Sequence, residues 1–507
     1  MLQLLLLLLL LIDSSSSTYD TLITHHDDDI RWKFLKSYPK HVIVRRVRDG
    51  AIRVDGVLNE SDWHAKADWK AEEFVDITNH KNQTYLNHVP SYQQASIAVL
   101  YDSHSLYVAA KLREPFTYAE IPCSHNGPAV PYKDNDFEVF VDPSGSTEFY
   151  KEFEINALNA TYDVNWGVPD QAGLSCSNNK SILLPVCVNT SSPFYSGSWS
   201  MYNNNNKTGK GGLRTATSST NFKTLDMGNG EWIVEIAFPL RNGSFHGGLL
   251  DTEDVLSSVD ARFNYERFDP TRYDLREKSL YWSADFARTV HPRKYYYTSE
   301  KEMFMWCPLS ENCSISRAES VSLARPNAEE CSDLSKEDKS MLGSDPNYGC
   351  YFEWVLQDLG PRNTYMHRPL SWSFLEFSEN SSTTPCGNLA FPVRHLLRIL
   401  HIAQKNHFIS NNNFTQNVTD LLAYCDEKQD VADLQYALTR SDIFDLSLVI
   451  NSNTTSVLNT TCTSHPCYKA SVRFVSPELP HTILVGHINE NRRLWFESDV
   501  PRLGCLF

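Results

Sequence analysis

Apolar and polar residues alternate with a period of two in a series of short runs, each bounded by turn-forming residues. That pattern constrains this chain more than any other feature. Ile97, Val99 and Tyr101 lead through Asp102, Ser103 and His104 into Leu106, Val108, Ala110 and Leu112, the signature of a hairpin. Further runs cover Asp136 to Val141, Phe149 to Ala157, Trp232 to Phe238 and Ala261 to Phe268. Successive side chains of a strand point to opposite faces, so Phe137, Val139 and Val141 fall on one side and Asp136 and Glu138 on the other. By the same rule Phe153 and Ile155 oppose Tyr150, Glu152, Glu154 and Asn156, and the Trp232 to Phe238 face opposes Glu231 and Glu235. Phe263 and Tyr265 oppose Arg262, Asn264 and Glu266. Strands with one apolar face bury it by packing sheet on sheet, which predicts a mainly β chain built on an antiparallel, jelly-roll-like β-sandwich.

The flanks read differently and divide the 507 residues into segments. An apolar run from Leu4 to Ile12, followed by Asp13 and Ser14 to Ser17, has the length of a signal-peptide core and is too short to span a bilayer, so residues 1–17 are expected to be a secretory signal. Residues 18–47 are charge-rich and read as a linker, 48–300 as the sandwich, and 301–389 as a Cys-rich extension packing on it. Within the sandwich, Asn59 is expected to cap a short helix, and Trp63, Trp69 and Trp232 to anchor cores. From 390 to 507 the pattern becomes that of a small α+β domain. Val393, Leu396, Leu397, Ile399, Leu400 and Ala403 recur at helical spacing, and strand-like runs follow at 471–475, 482–488 and 494–496.

Twelve cysteines without a CxxC pair, behind a secretory signal, read as a disulfide framework and place the protein outside the cell or at its surface. Sequons such as those at Asn59, Asn159 and Asn413 make it a candidate glycoprotein, although an Asn/Ser/Thr-rich composition gives the same pattern. The net charge of −16 repels phosphate backbones, so nucleic acid is excluded as a partner, and no later segment is long and apolar enough for stable membrane insertion. No GxSxG elbow occurs, which leaves Ser-His-Asp hydrolysis without a sequence motif.

Several segments, in order, resemble the family 9 carbohydrate-binding modules. They are Val54-Asp55-Gly56-Val57-Leu58-Asn59-Glu60 with Trp63, Leu100-Tyr101-Asp102 with Leu106-Tyr107-Val108, and Asn135-Asp136-Phe137-Glu138-Val139-Phe140-Val141-Asp142. Phe153-Glu154-Ile155-Asn156, Trp232 to Pro239 and Asn264 to Arg267 continue the series. Tyr365 to Pro369, Trp372 and Phe374 to Ser378 are similar to a block that follows this module in larger extracellular relatives, and Ile402-Ala403-Gln404 to their tail domain. The resemblance implies a β-sandwich that binds sugars, commonly with structural calcium, and that acts alongside glycoside hydrolases in carbohydrate catabolism.

Sugars offer apolar faces to aromatic rings and hydroxyls to carboxylates, amides and Arg. The candidate ligand-binding residues are therefore Trp166 and Trp282 for stacking, with Glu138, Tyr150, Asn156, Arg262, Asn264 and Arg267 for polar contacts. Filling the sandwich ends, pairing Arg with Glu across the sheet, or an ordinary solvated face accounts for the same residues. Asn135, Asp136 and Asp142 are candidate calcium ligands, with turn and strand-edge chemistry as the alternative. Glycoside hydrolysis needs two carboxylates about 5 Å or about 6.5–9.5 Å apart. Glu138, Glu152, Glu154 and Glu235 are the acids that such a pair would draw on. A protein-binding surface module and a haem-type redox sandwich are the readings from other classes.

Overall fold

The computed structural model describes residues 34, 37–71, 74–76, 94–114, 117, 119, 121, 131, 134–147, 150–165, 213–222, 229–241, 248–250, 268–276, 279–290, 342–345, 349–352, 355–358, 369–379, 387–451, 467–476, 483–490 and 492–497. The chain divides into two compact units, one of residues 39–385 and one of residues 1–38 with 386–507.

The first unit begins with β1 (His41–Arg46), the short helix α1 (Ser61–Ala65), β2 (Lys70–Ala71) and β3 (Val75–Asp76). The hairpin β4 (Ala95–Tyr101) and β5 (Ser105–Arg113) follows, then β6 (Asp136–Asp142), β7 (Lys151–Asn156), β8 (Thr161–Asn165), β9 (Arg214–Ser219), β10 (Glu231–Pro239) and β11 (Leu280–Val290). β12 (Leu342–Asp345) and β13 (Gly349–Phe352) form a ribbon of their own, and β14 (Val355–Asp358) and β15 (Ser373–Phe377) return to the main sheet.

That sheet runs β8-β7-β6-β11-β15-β1-β4-β5-β10-β9, with β14 on β11 and β2 on β4. It curls so that its two halves pack face to face. Phe137, Val139, Phe153, Ile155, Trp282 and Phe286 from one half are buried with Val108, Trp232, Val234, Ile236 and Phe238 from the other. The Phe153 and Phe238 rings meet edge-on at 5.2 Å, and Tyr101 meets Phe377 at 5.3 Å. Burying each such side chain contributes roughly 1.5–3 kcal/mol, so this shared core is what drives the curl.

The expected faces of β6, β7 and β10 stand, and so does the β-sandwich. Three expectations change. Residues 41–46, assigned to a linker, are a central strand: β1 pairs in parallel with both β15 and β4, so the sheet is not wholly antiparallel. Residues 373–377, assigned to an extension outside the sandwich, are a strand between β1 and β11. The cap of α1 is Glu60 rather than Asn59, and its side chain makes no capping hydrogen bond. Of the expected strand from Ala261 to Phe268, all but the last residue lies outside the described residues.

The far face of the β4-β5-β10 half is covered by the chain before it. Val47, Ile52, Leu58 and Trp63 pack on Ala98, Leu100, Tyr107, Ala109 and Ala237, with Trp69 at the rim. Gly56 takes φ +82°, a conformation that favours glycine, and an added Cβ would meet the Thr217 carbonyl carbon at 3.2 Å.

The second unit holds α2 (Phe391–Asn411), α3 (Lys428–Thr439) and the meander β16 (Phe444–Asn451), β17 (Cys467–Val475), β18 (Ile483–Asn489) and β19 (Leu494–Phe496). The helical spacing read in the sequence is the apolar stripe of α2, with Val393, Leu396, Leu397, Ile399, Leu400 and Ala403 buried. α2 ends at Asn412, which adopts the left-handed conformation at φ 55°. A His395–Asp433 hydrogen bond at 2.8 Å and an Arg398–Asp430 ion pair join α2 to α3. Cys467 is disulfide-bonded and Cys425 is free. Among the described residues no helix is long and apolar enough to cross a membrane.

Candidate functional site

Alternation along β6 puts Asp136, Glu138 and Phe140 on the face that points away from the sandwich core. The sheet register sets neighbours beside each of them. Asn156, Glu154 and Glu152 of β7 lie opposite Asp136, Glu138 and Phe140, and Thr289, Ala287 and Asp285 of β11 lie on the other side. Five carboxylates, Asp136, Glu138, Glu152, Glu154 and Asp285, therefore share one ledge. Each is at most 4% exposed, so the ledge is not an ordinary solvated strand face.

Directly opposed side chains have Cβ atoms about 5 Å apart, so Glu138 and Glu154 confront each other at close range. Burial, together with Glu152, Glu138 and Asp136, raises the Glu154 carboxyl well above the usual carboxylate range. Asp136 is raised in the same way, first by burial, and its Oδ2 has no hydrogen-bond partner. Its Oδ1 accepts from the Thr289 backbone N–H at 3.0 Å, and the Thr289 hydroxyl donates to Glu138 Oε1 at 3.1 Å. Next to the acids lies an aromatic group: Trp372 meets Phe140 at 5.6 Å and Tyr150 edge-on at 4.9 Å.

Behind the ledge, Arg288 and Glu114 form a buried ion pair at 2.6 Å. Arg288 also donates to the Arg113 carbonyl oxygen. Burial nevertheless pushes the Glu114 carboxyl up to about 7, with Arg288 and Asn135 pulling it down.

The structure sorts the residues expected from sequence. Glu138 stands at the centre of the ledge, and Tyr150 belongs to its aromatic group. Trp282 does not stack on a ligand: it lies on the inner face, 0% exposed, with its indole N–H donating to the Phe268 carbonyl oxygen at 2.9 Å. Asn156 is also corrected. Its amide donates to the Ile121 carbonyl oxygen and to Asp134, while its oxygen accepts from the N–H groups of Leu158 and Ala160, so all four hydrogen-bonding capacities are used within the protein. Glu235 sits in the other half of the sandwich, where its Oε2 accepts from the N–H groups of Asp55 and Gly56 and holds that turn. Trp166, Arg262, Asn264 and Arg267 lie outside the described residues.

The calcium trio does not fit a metal. Asp136 and Asp142 occupy opposite ends of β6, roughly 20 Å apart along an extended strand. Asp142 accepts from the Ser144 hydroxyl and the Thr147 N–H, which makes it a turn residue. Asn135 bonds to Glu114. Among the described residues no three His, Cys, Asp or Glu side chains group as a metal site.

Sequence reasoning missed β11 and with it Asp285 and Thr289. The signal was present, since Leu280, Trp282, Ala284 and Phe286 alternate with Tyr281, Ser283, Asp285 and Ala287.

No protein-family model matches the chain, and no curated protein does. Among solved structures the chain is similar to a family 9 carbohydrate-binding module from Caldicellulosiruptor kristjanssonii in complex with cellotriose, at 10% identity and a TM-score of 0.28, covering 68% of this chain and 98% of that one. The complex of that organism's family 9 module with glucose gives 10% and 0.26, over 67% and 98%. A structure from Bacteroides uniformis assigned as a carbohydrate-binding protein gives 13% and 0.31, over 67% of this chain and all of the other. The chain is thus similar to carbohydrate-binding modules of family 9.

Proposed function

We propose that the protein binds carbohydrate through the ledge of β6, β7 and β11. The observation that carries this reading is the buried carboxylate set beside the Phe140, Tyr150 and Trp372 rings. Crowding ionisable carboxyl groups into the interior costs free energy, through desolvation or retained protons, that a purely structural face would avoid by using apolar residues. Groups with pKa values displaced in this way concentrate at functional sites. Carboxylates beside aromatic rings are the chemistry that grips sugar hydroxyls and covers sugar C–H faces. The sequence features supporting export make this a secreted, disulfide-bonded and glycosylated protein that meets its glycan outside the cell, with a role in carbohydrate catabolism.

A second reading follows from the register. Glu138 and Glu154 are directly opposed across β6 and β7, two carboxyl groups on one face of the kind glycosidases use in pairs. One of the two, Glu154, has its proton affinity raised, as a general acid requires.

Both readings are tested by titrating the purified protein against a panel of oligosaccharides, by calorimetry and by product analysis. Binding that weakens at least tenfold in Glu138→Gln and Glu154→Gln supports the first reading, and release of shorter sugars that those variants abolish supports the second. Binding that neither variant alters removes the ledge from the site, and no binding across the panel refutes the proposal.

A further inference from the structure

The meander of the second unit turns one face to α2, where Gly486 packs so closely that an added Cβ would lie 2.6 Å from Val393 Cγ1. The other face carries a row fixed by register: Ser447, Ser471, His487 and Trp495 stand opposite one another across β16, β17, β18 and β19. The Ser471 hydroxyl lies 2.8 Å from His487 Nδ1. The other ring nitrogen of His487, Nε2, lies 2.9 Å from Glu497 Oε1. The three side chains are in series, a hydroxyl against one side of the imidazole and a carboxylate against the other, which is the nucleophile–base–orienter geometry of acyl-transfer enzymes. Such sets are recognised by geometry, so the missing GxSxG elbow does not exclude one.

The surroundings suit the roles. His487 is 6% exposed, and burial lowers its pKa, with Lys469 acting in the same direction and the Glu497 hydrogen bond opposing. The imidazole is therefore neutral near pH 7 and able to accept a proton. Glu497 fixes Nε2 as the protonated nitrogen and leaves Nδ1 as a lone pair toward Ser471. Ser471 is partly exposed, so its hydroxyl is within reach of a substrate. The Trp495 ring packs against His487 with centroids 5.1 Å apart, on the side of the imidazole that faces β19. β17 is bonded on both sides, to β16 and β18, so its backbone N–H groups are committed to the sheet. Two cations flank Ser471 on the same face, Lys469 two residues before it and Arg473 two residues after.

We propose that Ser471, His487 and Glu497 form an acyl-transfer site for small acyl esters. Ser471 Oγ attacks the ester carbonyl carbon while His487 Nδ1 takes the hydroxyl proton. The C–O bond to the alcohol then breaks, and His487 returns the proton to the departing oxygen, leaving an ester on Ser471. Water attacks that ester, its proton passes through His487 to Ser471 Oγ, and a carboxylic acid leaves. Lys469 balances the negative charge on the carbonyl oxygen in each addition.

The test uses the full chain and a fluorophosphonate probe, with the labelled residue located by peptide mass spectrometry and turnover followed with p-nitrophenyl acetate. Labelling at Ser471 is expected, absent in Ser471→Ala and at least a hundredfold slower in His487→Gln. Glu497 is exposed, so its variants leave the fold intact. Glu497→Gln is expected to slow labelling about tenfold, with Glu497→Asp restoring part of the rate, an outcome that a merely structural hydrogen bond would not give. A wild-type chain that takes up no probe at Ser471, or variants that label at the wild-type rate, would overturn the proposal.

Discussion

Replacing Glu154 by Gln should make the protein more stable at high pH while weakening its hold on sugar. The Glu154 carboxyl is raised by burial and by Glu152, Glu138 and Asp136, so the folded state keeps a proton that the unfolded chain releases above its ordinary value of 4.5. Above that pH the folded state binds more protons than the unfolded one, and stability falls as pH climbs toward the folded pKa. Where Glu138 and Glu154 are both ionised, taking the roughly 5 Å between Cβ atoms of directly opposed residues as the scale of their separation, an effective dielectric constant of about 20 gives a repulsion of about 3 kcal/mol. Gln keeps the shape and still donates to Glu152, which already shares a side-chain hydrogen bond with Glu154. The variant should therefore gain about 2–3 kcal/mol over the wild type at pH 8 and little at pH 4.5. Urea unfolding of both proteins at the two pH values measures this, with the slope of free energy against urea checked for two-state behaviour. An equal loss at both pH values would refute the electrostatic argument, because it would mean that Glu154 is held by shape alone.

Two further perturbations probe each unit separately. Glu114→Ala removes the carboxylate from the buried Arg288 guanidinium and should cost about 3–5 kcal/mol, read as a drop in the denaturation midpoint of the 39–385 unit by tryptophan fluorescence. Gly486→Ala forces a methyl group against Val393 and should cost about 1–3 kcal/mol, seen by calorimetry as a lower melting temperature. An unchanged melt would mean that α2 can move away from β18.

Local pattern carried the expected strands only where one face of a strand is apolar and the other polar. β6 and β10 were legible for that reason, and α2 because its apolar residues recur at helical spacing. β1, with the sequence His-Val-Ile-Val-Arg-Arg, shows no alternation because both of its neighbours are strands and His41 to Val44 are all buried. Its pairing with Phe374 to Phe377 joins parts of the chain that no local window connects. The site was half legible: the acids of β6 and β7 followed from period-two spacing, but their enclosure did not. Trp282 shows the limit most clearly, since a tryptophan beside Tyr281 and Ser283 reads equally as platform or core, and only the register of β11 against β6 and β15 turns it inward.

The seam at β1 and β15 has a consequence for how the chain matures. Because β15 lies between β1 and β11, synthesis of the sheet-forming residues before 300 leaves a gap that waits for residues 373–377 to emerge. Until then β1 and β11 present unpaired backbone edges, the surfaces through which nascent chains stick to one another. A fragment ending near residue 300 would keep those edges permanently, so the shortest piece worth expressing runs past Phe377, and a chaperone that shields strand edges would act in the interval before β15 arrives.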